Sequence, residues 1–351
     1  MPTISRTRTT RATPRRRPRS TLAAVAVAAA LGLAGCSAPA EEKSSASAPP
    51  PEAGALPVTI DHRYGATTIS GPVTRVAAMG LGDSDTLLAL GFAPVAVAPF
   101  GSPARVRTPW NSALLGPHEP VALPEASTQF GNEIAKALGT TPDLITAVGA
   151  APTKEQYDKL AAAVPTITRP ANYADWLVPW DVQATEIGRA VGLPDAAATK
   201  IAETKKHVAE LIAKHPELQG KTAVAVTASP DGSVSIFGPG DGRPQILESY
   251  GLAFPDGLRS SVTSGFYGTL SPETIGLLNE ADIVVALDWE GANDRLRTNQ
   301  NWTGQPFVTG GRTVYLNQEI STAMGVPTVL SIPWIADQSV AQIAAVAAKA
   351  P

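Results

Sequence analysis

Cysteine occurs once in 351 residues, at Cys36, so no disulfide can form within the chain and stability has to come from packing. Histidine occurs four times, at His62, His118, His207 and His215, and methionine three times. No H-E-x-x-H pattern and no Cys/His cluster exists, which excludes a dedicated zinc site of the usual kind, and each histidine reads as a solvated surface residue. No resident cofactor or metal is expected. No serine stands in G-x-S-x-G, and the triplet Gly220-Lys221-Thr222 lacks the earlier P-loop glycine, a position held by His215. The glycine-rich turns at 80–83 and 238–242 lack G-x-G-x-x-G spacing. The familiar hydrolase and nucleotide-binding chemistries therefore have no carrier, and an enzyme is not expected. Long apolar runs are also missing. The longest, Leu22–Leu33, is twelve residues, whereas a membrane span takes about 20.

What is present begins at the amino end. Residues 1–20 hold seven arginines and no acid, and the short apolar run follows them. A basic region, an apolar stretch of this length and small residues after it describe an export signal, residues 1–35. Leu33-Ala34-Gly35-Cys36 resembles the bacterial lipobox, which implies that Cys36 is acylated and becomes the first residue of the mature protein. Residues 36–57 are mostly Ser, Ala, Pro and Glu without apolar periodicity, so they read as a disordered tether. A coil of about 20 residues reaches on the order of 25 Å. Without the signal segment the chain has 21 Lys and Arg against 31 Asp and Glu, a net charge of −10, which argues against a nucleic-acid partner.

From Val58 onward short apolar runs alternate with amphipathic ones. Val58–Ser70 reads as a strand pair turning near Gly65, Arg75–Met79 as a buried strand, and Asp83 or Ser84 as the cap of a helix that Gly91 stops. Ala93–Pro99, Asp143–Val148 and Thr166–Thr168 read as strands, with helices before Gly139 and over Thr153–Ala163, while Phe100 to Phe130 is irregular. Residues 174–215 are almost purely helical, broken at Gly192-Leu193-Pro194. Strands return at Thr222–Ala228, Ser233–Gly238, Asp282–Leu287 and Thr313–Leu316, alternating with helices at Pro244–Tyr250, Pro272–Asn279 and Ile335–Lys349. Such alternation implies α/β units built on parallel strands. The organisation predicted is an amino-terminal α/β lobe over 58–173, a helical segment over 174–215 and a carboxy-terminal α/β lobe over 216–351, with a cleft between lobes as the place for a ligand.

Five stretches in order, "RVAAMGLGDSDTLLALGFAPVAV", "TTPDLITAV", "ADWLVPWDVQATEIGRAVGL", "LSPETIGLLNEADIVVAL" and "NWTGQPFVTGGRTVYL", resemble the ferric-siderophore/cobalamin class of ABC-importer substrate-binding lipoproteins, in its iron-siderophore branch. The resemblance covers about Val58 to Ala350. It implies two Rossmann-like α/β lobes joined by one long interdomain helix, capture of a ferric siderophore in the cleft, and delivery to an ABC permease by a lipid-anchored monomer outside the cell membrane. Haem, ferric citrate and cobalamin remain alternative cargoes on the same fold, and an anchored sensor or an extracellular hydrolase is the alternative from another class.

The resemblance further implies one permease-docking glutamate per lobe. "LSPETI" places one at Glu273; in the first lobe the candidate is Glu133, ten residues before Asp143, a departure from the family spacing of about eight. Both also suit helix starts, where acids favour the dipole. A chelate needs cationic donors for its oxygens and aromatic walls. The candidates are Arg105, Arg107 and Trp110 on the loop after a strand, Phe130 before the Glu133 helix, Arg243 and Trp289 after strands of the second lobe, and Tyr267, six before Glu273.

Overall fold

The structure, a computed structural model, describes residues 48–350; Cys36, the signal segment and the start of the tether lie outside the described residues. Among the described residues no helix is long and apolar enough to cross a membrane.

A hairpin of β1 (Val58–His62) and β2 (Gly65–Ile69) precedes two five-stranded sheets. The first sheet takes β3 (Val76–Ala78), β4 (Ala96–Val97), β5 (Val121–Ala122), β6 (Leu144–Ala147) and β7 (Thr166–Thr168) in the order β5-β4-β3-β6-β7, and every pair is parallel. The second takes β8 (Ala223–Ala228), β9 (Val234–Phe237), β10 (Tyr267–Leu270), β11 (Ile283–Leu287) and β12 (Thr313–Leu316) in the order β10-β9-β8-β11-β12. Here β8, β11 and β12 are parallel, while β9 runs antiparallel to both β8 and β10. The antiparallel pair follows from a short connection: Gly232 turns with φ 86° and Asp231 bonds the Ser233 amide at 3.0 Å, so β8 and β9 close directly as a hairpin.

Sheets covered on both faces need strands that are apolar at every position. In β11 all five residues are buried. Alternate residues serve opposite cores: Ala223, Ala225, Ile283 and Val285 face one apolar cluster, Val224, Val226, Val284 and Ala286 the other. The first sheet divides likewise, with Val76, Ala78 and Leu144 on one side and Ala77, Met79 and Ile145 on the other.

Between the lobes lie helix Trp180–Ala190 and the linking helix Pro194–Ile212, nineteen residues and about 28 Å long. Ala197, near its start, belongs to the first lobe's core, and Val208 to the second's. Its Thr204 hydroxyl donates to the Val329 carbonyl at 3.0 Å.

Three expectations are corrected. The tether was expected to run to residue 57, but the chain is packed from about Ala48: Pro51 and Leu56 lie over Gly192, and the Glu52 carboxylate accepts from the Asp195 and Ala196 amides, both at 2.8 Å, at the start of the linking helix. One proline, one leucine and a capping acid make these contacts, which leaves no periodicity to read. Pro272–Asn279 is a turn followed by a 3-10 helix, Ile275–Glu280, instead of an α-helix. His62 is buried, 2.9 Å from the Thr67 hydroxyl and edge-on to Tyr157, and burial pushes its pKa down despite the opposing charge of Asp61.

Candidate ligand-binding cleft

The carboxyl ends of the parallel strands in both sheets open onto one region, the usual position of a ligand in α/β proteins. After β3 and β6 come Leu81 and Val148-Gly149, after β4 comes Phe100, and after β11 come Asp288 and Trp289. Two adjoining hollows of about 340 Å³ and 590 Å³ share Phe100, Ser127, Phe237 and Arg243, and together make one cleft between the lobes. Phe100, Trp176, Trp180, Phe237, Phe266 and Trp289 are its aromatic walls.

On the first-lobe side the floor is held by a buried carboxylate. Asp83, at the start of helix Asp83–Ala89, accepts from the amides of Val148 and Gly149 at 3.0 Å each and from Gln183 Nε2 at 2.5 Å, and Gln183 also donates to the Leu81 carbonyl at 2.8 Å. Burial pushes its pKa up, and these hydrogen bonds pull the other way. Gly149 is obligatory here, because a Cβ would stand 2.1 Å from the Leu81 carbonyl oxygen. Asp85, two residues on, accepts from Trp110 Nε1 at 2.7 Å, Asn111 Nδ2 at 3.2 Å and the Thr328 hydroxyl at 2.7 Å, so it fastens the second lobe's Thr328 to the first lobe.

The second-lobe side carries the charge. Asp241 caps helix Gly242–Ser249 through the Arg243 amide at 2.9 Å and pairs with the Arg243 guanidinium at 3.0 Å. That guanidinium stands 3.9 Å from the centre of the Phe237 ring. Burial raises the Asp241 carboxyl, opposed by Arg243. Gly325 leaves room for the pair: a Cβ there would lie 2.8 Å from Arg243 Nη2 and 3.1 Å from Phe100.

Of the seven candidate ligand-binding residues, Arg243 and Trp289 line the main cleft, where Trp289 packs on Phe100 with ring centres 5.7 Å apart. Arg105 and Trp110 line an adjoining small hollow that shares Phe100 and Val326 with the cleft and is closed by Asp85 and Thr328, and Trp110 packs on Trp334 across the lobes at 5.2 Å. Arg107 does not face the cleft: its guanidinium donates to the carbonyls of Gly116 and His118 and to Glu119, all at 2.8 Å, which closes its own loop. Phe130 is a core residue. Tyr267 is exposed and outside both hollows; its neighbour Phe266 supplies the aromatic wall. Adjacent positions of an extended strand point to opposite faces, so a one-residue offset moves the ring from one side to the other.

Glu133 requires a further correction. Its side chain is fully buried, accepting from the Glu125 amide at 3.1 Å and paired with Lys136, so it presents no carboxylate to a partner. Glu273 is exposed on the turn before the 3-10 helix, and a hydrogen bond from Ser271 holds its carboxyl below the usual range.

Residues 76–320 match the model of a family described as Periplasmic binding protein. The chain belongs to the periplasmic binding protein family. Its members and structural neighbours are solute-binding proteins without enzymatic activity, and a substrate-binding role follows for this chain. This periplasmic binding protein is similar to a periplasmic solute binding protein from Mycobacterium smegmatis, at 28% identity and a TM-score of 0.73 over 83% of this chain and 98% of that one. It is also similar to PiaA of Streptococcus pneumoniae in complex with ferrichrome (22% identity, TM-score 0.72, covering 84% and 100%) and to SirA of Staphylococcus aureus complexed with staphyloferrin B (20%, 0.65, 82% and 98%). Comparison with curated proteins gives no match.

Among the cleft residues that escaped the sequence reading are Phe100, Trp176, Trp180, Phe237, Asp241, Phe266 and Asp288. Phe100, Phe237 and Asp288 each end or follow a strand and were open to the logic that found Trp289. Trp176 carried a different signal only the backbone reveals: it sits at φ 69°, a conformation a bulky side chain rarely adopts and one that collects at ligand sites.

Proposed function

We propose that this protein is a lipid-anchored, extracytoplasmic receptor that captures a ferric siderophore and hands it to an ABC permease. The observation that carries the reading is the cleft itself: six aromatic rings and one guanidinium at the meeting of two α/β lobes. A chelate brings its metal already coordinated, so the receptor needs only shape, apolar walls and a few donors to ligand oxygens, and the cleft has these. The ferrichrome and staphyloferrin B complexes of the structural neighbours support this cargo class. Cys36 is the proposed anchor and Glu273 the proposed docking carboxylate. Delivery is tested by uptake of radiolabelled iron chelate in cells relying on this receptor, with Glu273→Lys beside the unaltered protein. The variant should bind chelate as before and lose most uptake; unchanged uptake would remove Glu273 from docking. Cys36→Ala should move the protein from the membrane to the soluble fraction, and its retention on the membrane would contradict lipid anchoring.

A further inference from the structure

The charge carried by the cleft limits the charge of what it can hold. Among the described residues lining the two main hollows Arg243 is the one basic side chain, and its guanidinium is engaged by Asp241 at 3.0 Å. Asp288, at the end of β11, lines the larger hollow and adds a second acid. The cleft thus sets two carboxylates against one cation. Cations nearby have partners of their own: Lys205 pairs with Asp181 at 2.7 Å, and Arg63 and Arg169 share Asp175. Arg105 lines the adjoining small hollow, which shares Phe100 and Val326 with the cleft and sets the buried acid Asp85 beside it. Arg295 donates to the carbonyls of Glu290, Ala228 and Trp289.

Iron(III) chelates differ in charge by the chemistry of their donors. Three hydroxamates, each contributing one negative charge, give an uncharged complex; three catecholates leave it triply negative, and hydroxycarboxylate chelates are anionic too. To bring three negative charges into a half-buried space, a protein has to replace their hydration with cationic donors. This cleft offers one, already neutralised. An uncharged chelate has no such requirement: its carbonyl oxygens can accept from the free edge of Arg243, and its backbone can lie on the aromatic walls. A pendant ammonium on the chelate would meet Asp288.

Resting on the proposed function, we propose that the cleft selects iron(III) chelates of zero or positive net charge, the tris-hydroxamate type, and rejects triply anionic catecholates. The test is calorimetric titration of the full-length protein in detergent with four probes: an uncharged ferric tris-hydroxamate, the same type with a pendant ammonium, a ferric tris-catecholate, and ferric citrate. The first two should bind at micromolar concentration or below, and the tris-catecholate at least about 100-fold more weakly. Equal or tighter binding of an anionic probe would overturn the charge rule and leave the iron-chelate function standing. Binding of none would overturn both. Asp288→Asn should shift the ratio of anionic to uncharged affinity about tenfold toward the anionic probes. An unaltered ratio between them would show that cleft charge does not set selectivity.

Discussion

The two lobes share a layered plan and use their charged residues differently. In the first, strands of two to four residues form an all-parallel sheet, and the acids at its strand ends turn inward: Asp83 binds backbone amides, and Asp85 binds Trp110 and Thr328. In the second, strands of four to six residues include an antiparallel pair, and Asp241, Arg243 and Asp288 line the cleft. One lobe uses its acids to fix its own turns and to fasten the other lobe, and presents backbone and rings. The other presents charge. A binding site assembled this way separates the shape of the floor from the electrostatics of the wall.

The largest effect expected on this division comes from its two tightest backbone contacts. A Cβ at Gly149 would meet the Leu81 carbonyl at 2.1 Å, and one at Gly268 the Ser261 carbonyl at 1.7 Å. Gly149→Ala and Gly268→Ala should each lower unfolding free energy in urea by about 2–3 kcal/mol, and Gly149→Ala should also weaken ligand binding, because only Gly149 lines the cleft. Equal binding losses in both would erase the distinction between floor and frame. Next, Arg243→Ala should cost about tenfold or more in chelate affinity, whereas Arg107→Ala should leave affinity within about twofold. A loss from Arg107→Ala would mean that its loop positions the site.

Smaller effects follow from pH. Burial raises the Asp85 carboxyl, so the folded state keeps its proton to higher pH than the unfolded chain does. Between the ordinary aspartate value of about 4 and the raised value, the folded state binds more protons, and the stability due to this group falls as pH rises. Measured by urea unfolding, wild type should therefore gain on Asp85→Asn as the pH is lowered, by no more than about 1.4 kcal/mol per unit. The gain over Asp241→Asn should be shallower, since Arg243 opposes the shift there. A pH-independent difference would contradict this account. Smallest, Glu52→Ala should cost about 1 kcal/mol by uncapping the linking helix, and Glu52→Gln less than that.

The two-lobed α/β plan was legible because buried parallel strands have to be apolar throughout; "DIVVAL" and "TAVAVTA" signal this without help from their neighbours. The helical middle was legible from its length and its break at Gly192-Leu193-Pro194. The cleft was legible only in part. Arg243 and Trp289 follow strands and so reach the strand ends, but Arg107 bonds carbonyls of its own loop, a contact that composition does not encode. Glu133 has the residue type and nearly the spacing of a docking acid, yet it packs under its own helix. Phe266 and Tyr267 differ by one position on an extended segment, and pattern without register cannot choose between them.

The linking helix has a thermodynamic consequence. Ala197 sits in one core and Val208 in the other, eleven residues apart on a single continuous helix, with Thr204 bonded to the Val329 carbonyl between them. Losing either core strips an apolar face from that helix, so neither lobe can melt without weakening the other's support. Two lobes with separate sheets are thereby bound into one cooperative unit, and heating should give a single calorimetric transition.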